Sequence, residues 1–583
     1  MEKKVDLLQD LNAGQKKAVL HTKGPSIILA GAGSGKTRVL VSKVQYLIEE
    51  CKVLPSSIVM ITFTNKAAGE MKKRMKYHLG YVGTFHSFCA YILRRDGEAL
   101  GIERSFSIYD RSDQESVIKG ILKKKDSIKK YTPSYMLYQI SLAKNQLLTP
   151  QKYQEVFSNY SAKFISEVYG AYQNELLNNQ ALDFDDLIMK TTTLLLKNPE
   201  ILAKYQRYYQ YFLVDEFQDT NYAQYVLTRI LGLKLRNVTV VGDFSQSIYS
   251  WRGADIKNLE KFEQDFGGEE IVKTFHLEEN YRSSQTILDF AYHVISQNQT
   301  HPILKLHTKN LQGEEITYYE ADNEQDEALY ISSEISRLNR DSYSSFSVLY
   351  RTNAQSRAIE EAFLHQGIPY MLIGGTRFYE RKEIKDVLSY LRLIVNPKDS
   401  VAKERLLKLG KTRWNKFEIF LEKVDEDFRK KDTNSIIEII FEKTGYLSLF
   451  HPDDLDDYAR LENIKELKSV AVTFPNLVEF LEQVALVESE YFASEKKGNK
   501  DGVKLMTLHQ AKGLEFPYVF IVGVEDGLLP HSQSIDDLFE LEEERRLFYV
   551  GITRAEKKLY ITYARRRFLL GRRNESVKSR FLE

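Results

Sequence analysis

The stretch "SIILAGAGSGKTRVL", residues 26–40, decides the fold. Apolar Ile27, Ile28 and Leu29 run into the small residues Ala30, Gly31, Ala32, Gly33, Ser34 and Gly35, then Lys36, Thr37 and a helix-like pattern. Strand, glycine-rich loop and helix in that order are the layout of a phosphate-binding P-loop. Small residues let backbone N–H groups approach phosphate oxygens, and the helix N-terminus adds a favourable dipole. Lys36 is then placed to reach the β- and γ-phosphates, and the Thr37 hydroxyl to ligate Mg²⁺, so ATP and Mg²⁺ are the expected ligands. One position departs from the common G-x-x-x-x-G-K-[ST] pattern: Ala30 stands where its first glycine belongs. Alone, the loop would suit a kinase, a transporter ATPase or a motor.

The 583 residues suggest about three to five domains. Hydrophobic residues make up 43% and aromatic residues 12%, ample for several cores. Charged residues are 28% and nearly balanced at a net +1, which excludes a globally basic nucleic-acid coat. Any polyanion must bind in a local groove. Two cysteines, Cys51 and Cys89, build no disulfide framework and fit a reducing interior. The N-terminal segment has no long apolar run, and no stretch approaches the ~18 apolar residues of a membrane span. The expectation is a cytoplasmic protein without a membrane partner.

Short apolar runs recur in two sets. The first is "SIVMITF" (57–63), "YFLVDE" (211–216), "VTVVGD" (238–243) and "IVKTFH" (271–276). The second is "FSVLYR" (346–351), "VKLMTL" (503–508), "YVFIVG" (518–523) and "KLYITYA" (558–564). Strands apolar on both faces and separated by helices predict parallel α/β sheets. Two sets predict two such cores, residues 1–93 with 186–279 and residues 280–376 with 501–583. Polar, helix-like stretches interrupt each, at 94–185 and at 377–500. The basic tail "RRRFLLGRRNESVKSRFLE" reads on composition as a solvated end.

The second chemical motif is "YFLVDEFQDT". A strand that ends in Asp215-Glu216 is what P-loop hydrolases use: Asp215 to hold Mg²⁺, Glu216 to orient and deprotonate the attacking water. Acidic strand ends are common, but one that follows a P-loop after three apolar residues favours the catalytic reading. The pair suits hydrolysis better than transfer to an acceptor.

In order along the chain stand "AGAGSGKT", "ITFTNKAA", "GTFHSF", "VDEFQDT", "VVGDFSQSIYSWRGA", "LEENYRSSQ", "TLHQAKGLEF" and "YVGITRA". Together they resemble the motifs of the UvrD/Rep/PcrA-type superfamily 1 DNA helicases, from residue 7 to about 565, in a short form without the long C-terminal extension. The P-loop of that family begins with alanine, so Ala30 is what the resemblance implies. It implies two RecA-like parallel-sheet P-loop domains, each with a mainly helical insertion, and an ATP site between them. It implies roles for individual residues too. Gln15 would read the adenine edge, Tyr281 would stack on the base, and Glu515 would contact the ribose. Arg38 is a further candidate beside the nucleotide. Gln246 would link the γ-phosphate to DNA, and Arg282 and Arg554 would act as paired arginine fingers. Fixed guanidinium groups stabilise charge spread over the γ-oxygens during phosphoryl transfer.

Single strands bind through aromatic stacking and a polar or basic groove. Trp251, one of two tryptophans, lies in "YSWRGA" beside Tyr249 and Arg252. Phe63 and Phe184 resemble further base-contacting rings, and His86, Asn353 and His509 match positions near the strand. With 36 tyrosines and 31 phenylalanines, most rings must be core, so none outside a motif is assigned to DNA. The implied partners are single-stranded DNA and single-strand/duplex junctions, with repair, replication or nuclease proteins as further candidates. ATP would close the two cores around the γ-phosphate and hydrolysis would reopen them, each cycle advancing the strand by a single nucleotide. The resemblance implies 3′ to 5′ movement.

The sequence departs from relatives in places. Phe244 and Ser245 stand where acidic residues are frequent. The second insertion is shorter, with "LLKLGKTRWNK" (406–416) the nearest remnant of an "RGIG" stretch. Three alternatives compete with a repair or replication helicase. One is the motor subunit of a nuclease-containing complex, as in anti-phage defence, unwinding weakly alone. Another is a nucleotide-gated DNA-binding switch; a third is a small-molecule P-loop kinase, which leaves the motifs after residue 280 unexplained.

Overall fold

The computed structural model describes residues 8–127, 130–157, 161–338, 342–452, 454–496, 501–569 and 572–583. The chain divides into two compact units: Met1–Arg282 with Ile295–Asn310, and Ser283–Val294 with Leu311–Glu583.

The strands of the first unit are β1 (Ser26–Ala30), β2 (Ile58–Thr62), β3 (Tyr81–Thr84), β4 (Ser107–Tyr109), β5 (Ala181–Asp183), β6 (Tyr211–Val214), β7 (Val238–Gly242), β8 (Lys273–Leu277), β9 (Glu279–Asn280) and β10 (His307–Thr308). Six of them form an all-parallel sheet in the order β3-β2-β6-β7-β1-β8. Its helices are α1 (Ala13–Leu20), α2 (Lys36–Glu49), α3 (Asn65–Arg74), α4 (Phe85–Asp96), α5 (Arg111–Lys124), α6 (Pro133–Asn145), α7 (Pro150–Val156), α8 (Ala162–Asn178), α9 (Phe184–Lys197), α10 (Pro199–Tyr208) and α11 (Tyr222–Gly232). The inner strands β2, β6, β7 and β1 are apolar on both faces because helices cover both. Ile27 and Leu29 pack with Phe88, Ile92, Leu187 and Leu227, whereas Ile28 and Ala30 pack with Val19, Val39, Leu40 and Val44. The alternation is the period of two expected of a strand. Helices α5–α8 gather their own core around Tyr153, Tyr169 and Tyr172, and β4 pairs with β5 beside it.

The second unit holds β11 (Thr317–Ala321), β12 (Phe346–Tyr350), β13 (Tyr370–Leu372), β14 (Val503–Thr507), β15 (Phe516–Ile521) and β16 (Ala555–Ala564). They too form one parallel sheet, in the order β11-β16-β15-β12-β14-β13. Between β13 and β14 a run of helices packs around Tyr390, Phe417, Tyr446 and Phe480. The expected α/β class with two parallel sheets is therefore observed. Eight of the twelve sheet strands coincide with the apolar runs of the sequence. The others, β1 apart, are β3, β11 and β13, all at sheet edges.

Candidate active site and nucleic-acid interface

In open parallel sheets ligands bind at the carboxyl ends of the strands. Here β1 ends in the P-loop, β6 in Asp215-Glu216 and β7 in Asp243, three neighbouring strands delivering their chemistry to one edge. The loop turns through left-handed backbone at Gly33 (φ 66°) and Gly35 (φ 83°), a conformation glycine adopts without steric cost. The Ser34 hydroxyl donates to Gly31 O at 2.7 Å and closes the turn. Lys36 and Thr37 then open α2, and Arg38 is exposed on its first turn.

A second segment fastens the loop. Asn280 Nδ2 donates to Ala32 O at 2.6 Å, and Tyr281 N donates to Gly33 O at 3.0 Å. A Cβ on Gly33 would lie 2.7 Å from Asn280 Nδ2 and 2.9 Å from Arg282 Cβ, so "NYR" sits directly against the loop. The Tyr281 ring is 45% exposed, and its hydroxyl accepts from Asn12 Nδ2 at 2.8 Å. Gln15 is fully buried. Its Nε2 donates to Ser34 O at 2.9 Å and its Oε1 accepts from Asn12 N at 3.1 Å, so its amide holds the P-loop as well as capping α1.

Facing the loop is a continuous polar chain. Lys36 Nζ donates to Glu216 Oε2 at 3.3 Å, and Gln218 Nε2 donates to the same oxygen at 2.6 Å. Gln218 Oε1 accepts from Asp243 N at 3.1 Å, and Gln246 Nε2 donates to Asp243 Oδ2 at 2.6 Å. Lys36 is thus connected through Glu216, Gln218 and Asp243 to Gln246. Burial works against the Lys36 charge, but Glu216, Asp243 and Asp215 together hold its pKa above the ordinary value. Burial and the Glu216 charge push the Asp215 carboxyl up to about 7. Glu216 has left-handed backbone (φ 52°), which costs a non-glycine residue of order 1–3 kcal/mol and concentrates at functional sites.

Asp215 fits a metal ligand: it is buried, and its Oδ1 has no hydrogen-bond partner. Among the described residues no group of three or more His, Cys, Asp or Glu side chains could hold a metal by itself. A magnesium ion held by Asp215 and Thr37 would complete its shell with phosphate oxygens and water, the usual habit of this ion.

Two partly exposed aromatic groups lie at the same edge. Phe63 follows β2 and stacks on Tyr249, with centroids 5.8 Å apart and planes at 9°. Trp251 is 37% exposed and stands 6.3 Å from Tyr249, with the Arg252 guanidinium 4.5 Å from the Trp251 ring centroid. His86 lies in the first turn of α4, after β3, and meets the exposed Phe184 ring edge-on at 5.8 Å. Burial lowers the His86 pKa and so favours the neutral imidazole. Thr62 pairs with Thr84 in register, so Phe63 and His86 emerge from adjacent strand ends.

In the second unit Asn353 follows β12 and His509 follows β14, whereas Glu515 is exposed just before β15. Arg554 is almost completely buried and donates to Val550 O, Leu514 O and Thr553 Oγ1 at 3.0–3.1 Å. The sequence reading passed over Asn12, Gln218, Asp243 and Asn280. Asp243 carried a usable signal, being a carboxylate that ends "VTVVGD" as Asp215 ends "YFLVD".

Residues 11–267 match the UvrD/REP helicase N-terminal domain family, and residues 275–433 and 412–566 match the UvrD-like helicase C-terminal domain. The chain is 44% identical over 635 residues to the ATP-dependent DNA helicase PcrA of Bacillus subtilis (strain 168), covering 99% of this chain and 86% of that protein. It is 43% identical over 636 residues to PcrA of Staphylococcus aureus (strain Mu50 / ATCC 700699), with the same coverage. PcrA of Staphylococcus epidermidis (strain ATCC 12228 / FDA PCI 1200) is 42% identical over 636 residues, again 99% of this chain and 86% of the relative.

Proposed function

The chain belongs to the UvrD/REP helicase family, and we propose that it is an ATP-dependent DNA helicase that moves 3′ to 5′ on single-stranded DNA and unwinds duplex in repair, replication or recombination. One observation carries this reading. The polar chain from Lys36 to Gln246 and the rings Phe63, Tyr249, Trp251 and His86 leave the same edge of one parallel sheet, where Phe184 meets His86.

In the proposed reaction the P-loop N–H groups and Lys36 bind the phosphates of ATP. Glu216 orients the attacking water and takes its proton. Arg282 and Arg554 place guanidinium charge on the γ-phosphoryl oxygens, and Arg554 must exchange its carbonyl acceptors to do so. Asp215 and Thr37 would hold magnesium, whose chemistry when bound is neutralisation of charge on the β- and γ-phosphates. Gln246, tied to Asp243, relays the γ-phosphate state toward "SIYSWRG". The exposed Trp251 and Phe184 rings, with the partly exposed Phe63, Tyr249 and His86, offer π-faces to bases without regard to sequence, as a translocase requires.

The test is steady-state ATPase with and without single-stranded DNA, followed by unwinding of 3′- and 5′-tailed duplexes. Many-fold stimulation and unwinding from the 3′ tail are expected. Equal turnover with and without DNA would overturn the reading.

A further inference from the structure

Lys144 and Asn145, the last two residues of α6, take no part in the proposed reaction, yet they are buried in polar contacts on both sides. The Lys144 side chain has no exposed surface, and its Nζ bonds to Asp183 Oδ2 at 2.6 Å and Asp186 Oδ2 at 3.0 Å. Tyr172 adds its hydroxyl to Asp183 Oδ2 at 2.9 Å, and Gln173 Nε2 donates to Asp186 Oδ2 at 3.3 Å. Asp183 is the cap of α9 and accepts from Asp186 N at 2.7 Å. The cation therefore grips the first turn of α9, the turn that carries the exposed Phe184 ring against His86.

Asn145 faces the other way. Its Oδ1 accepts from Asn221 Nδ2 at 2.7 Å, and its Nδ2 lies 3.5 Å from Arg252 O. Gly253 has φ +85°, and a Cβ there would sit 3.2 Å from Asn145 Nδ2. The "WRG" turn is held from below as well: Asn221 bridges to Ala254, and Asp255 N donates to Thr220 O at 3.0 Å. Thr220 and Asn221 lie four and five residues after Glu216.

Two adjacent side chains of one helix thus reach both aromatic groups, Phe184 with His86 through Lys144 and Trp251 with Arg252 through Asn145. We infer that Lys144 and Asn145 are positioning residues for the base-stacking surface: together they fix the spacing between its two halves, and so set how much single-stranded DNA is needed to stimulate ATP turnover. The inference rests on the proposed function. A joint that merely held α5–α8 to the sheet would alter stability and scale all rates alike. A positioning pair moves the DNA dependence and leaves the unstimulated rate in place.

The test titrates oligodeoxythymidylate against ATPase for wild type, Asn145→Ala and Asn145→Asp. The aspartate variant keeps the acceptor for Asn221 and loses the donor toward Arg252 O. The change in tryptophan fluorescence is followed in parallel. It reports Trp251, because the only other tryptophan, Trp414, is buried in the core of the second insertion. Loss of one such contact should raise the half-saturating oligonucleotide concentration about fivefold to tenfold, with the unstimulated rate and the stimulated plateau unchanged. Titrations that overlay wild type, or a proportional fall in all rates at unchanged half-saturation, would overturn the inference; if Asn145→Ala fails to fold, Asn145→Asp decides. A wild-type chain that binds oligonucleotide without stimulation would sink the proposed function instead. The inference would then be judged on the fluorescence titration, where unchanged affinity overturns it.

Discussion

Replacing Glu216 by glutamine isolates the proton-accepting role, because the side chain keeps its shape and loses its charge. Glu216 Oε2 receives both Lys36 Nζ at 3.3 Å and Gln218 Nε2 at 2.6 Å, and the glutamine carbonyl can still accept one of them. Lys36 keeps Asp243 and Asp215 as stabilising charges, so the ammonium is retained. Asp215, now pushed up to about 7 by burial and by the Glu216 charge, loses the second of these influences and ionises more readily. Nucleotide binding in the presence of magnesium should therefore be preserved or slightly tightened. Turnover should fall, since a positioned general base contributes about 10²–10⁴-fold, or about 3–5 kcal/mol of barrier. The assay is phosphate release with saturating single-stranded DNA beside the dissociation constant of a fluorescent ATP analogue. Turnover within tenfold of wild type, or nucleotide affinity lost together with turnover, would refute the assignment of Glu216 as base.

Trp251→Ala should raise the DNA concentration for half-maximal ATPase by about 5- to 100-fold, from the ~1–3 kcal/mol of one base–aromatic stack, while the KM for ATP stays put. A larger change in KM than in DNA dependence would make Trp251 a core residue. Lys144→Met should cost about 3–5 kcal/mol in urea unfolding, because it strips the cation from buried Asp183 and Asp186; a cost below about 1 kcal/mol would contradict the burial. Lys43 on α2 donates to Ala18 O and His21 O, and burial lowers its pKa to about 7. The folded value lies below the ordinary 10.5, so the unfolded chain binds more protons between those limits and stability attributable to Lys43 rises with pH across them. The difference in unfolding free energy between wild type and Lys43→Met should therefore shift in favour of wild type from pH 7.5 to 9.5; a constant difference would show an ordinary lysine.

Interior strands were legible because burial on both faces demands unbroken apolar runs, as in "SIVMIT" and "VTVVG". Edge strands escape that demand, and of the four only β8 overlaps an apolar run. In β11, "TYYEA", polar and exposed positions alternate with half-buried ones, and β3 and β13 are four and three residues long. The P-loop and the Asp215-Glu216 pair were legible because their chemistry fixes residue types at close spacing. The polar chain was not. Gln218 and Asp243 touch through an amide oxygen and a backbone N–H across 25 residues, and Asn280 reaches Ala32 O across 248. Such contacts place little constraint on neighbouring sequence. Gln15 shows the opposite case: its residue type was noticed, but its commitment to Ser34 O appears only once α1 is folded against the loop.

The pairing of β2 with β6 has a consequence for how a fuel signal becomes mechanical work. Asp215 N donates to Ile61 O at 2.8 Å, and Phe63 is two residues beyond Ile61. Only one inter-strand step, ~4.8 Å, separates the backbone of Asp215, proposed to hold magnesium, from the strand that leads to Phe63, proposed to meet a base. Under the proposed function, a displacement at the tip of β6 would pass to β2 through this backbone hydrogen bond, with no side chain in between. On the proposed function this contact would give the strand a second, shorter route to a spent nucleotide beside the one through Gln246.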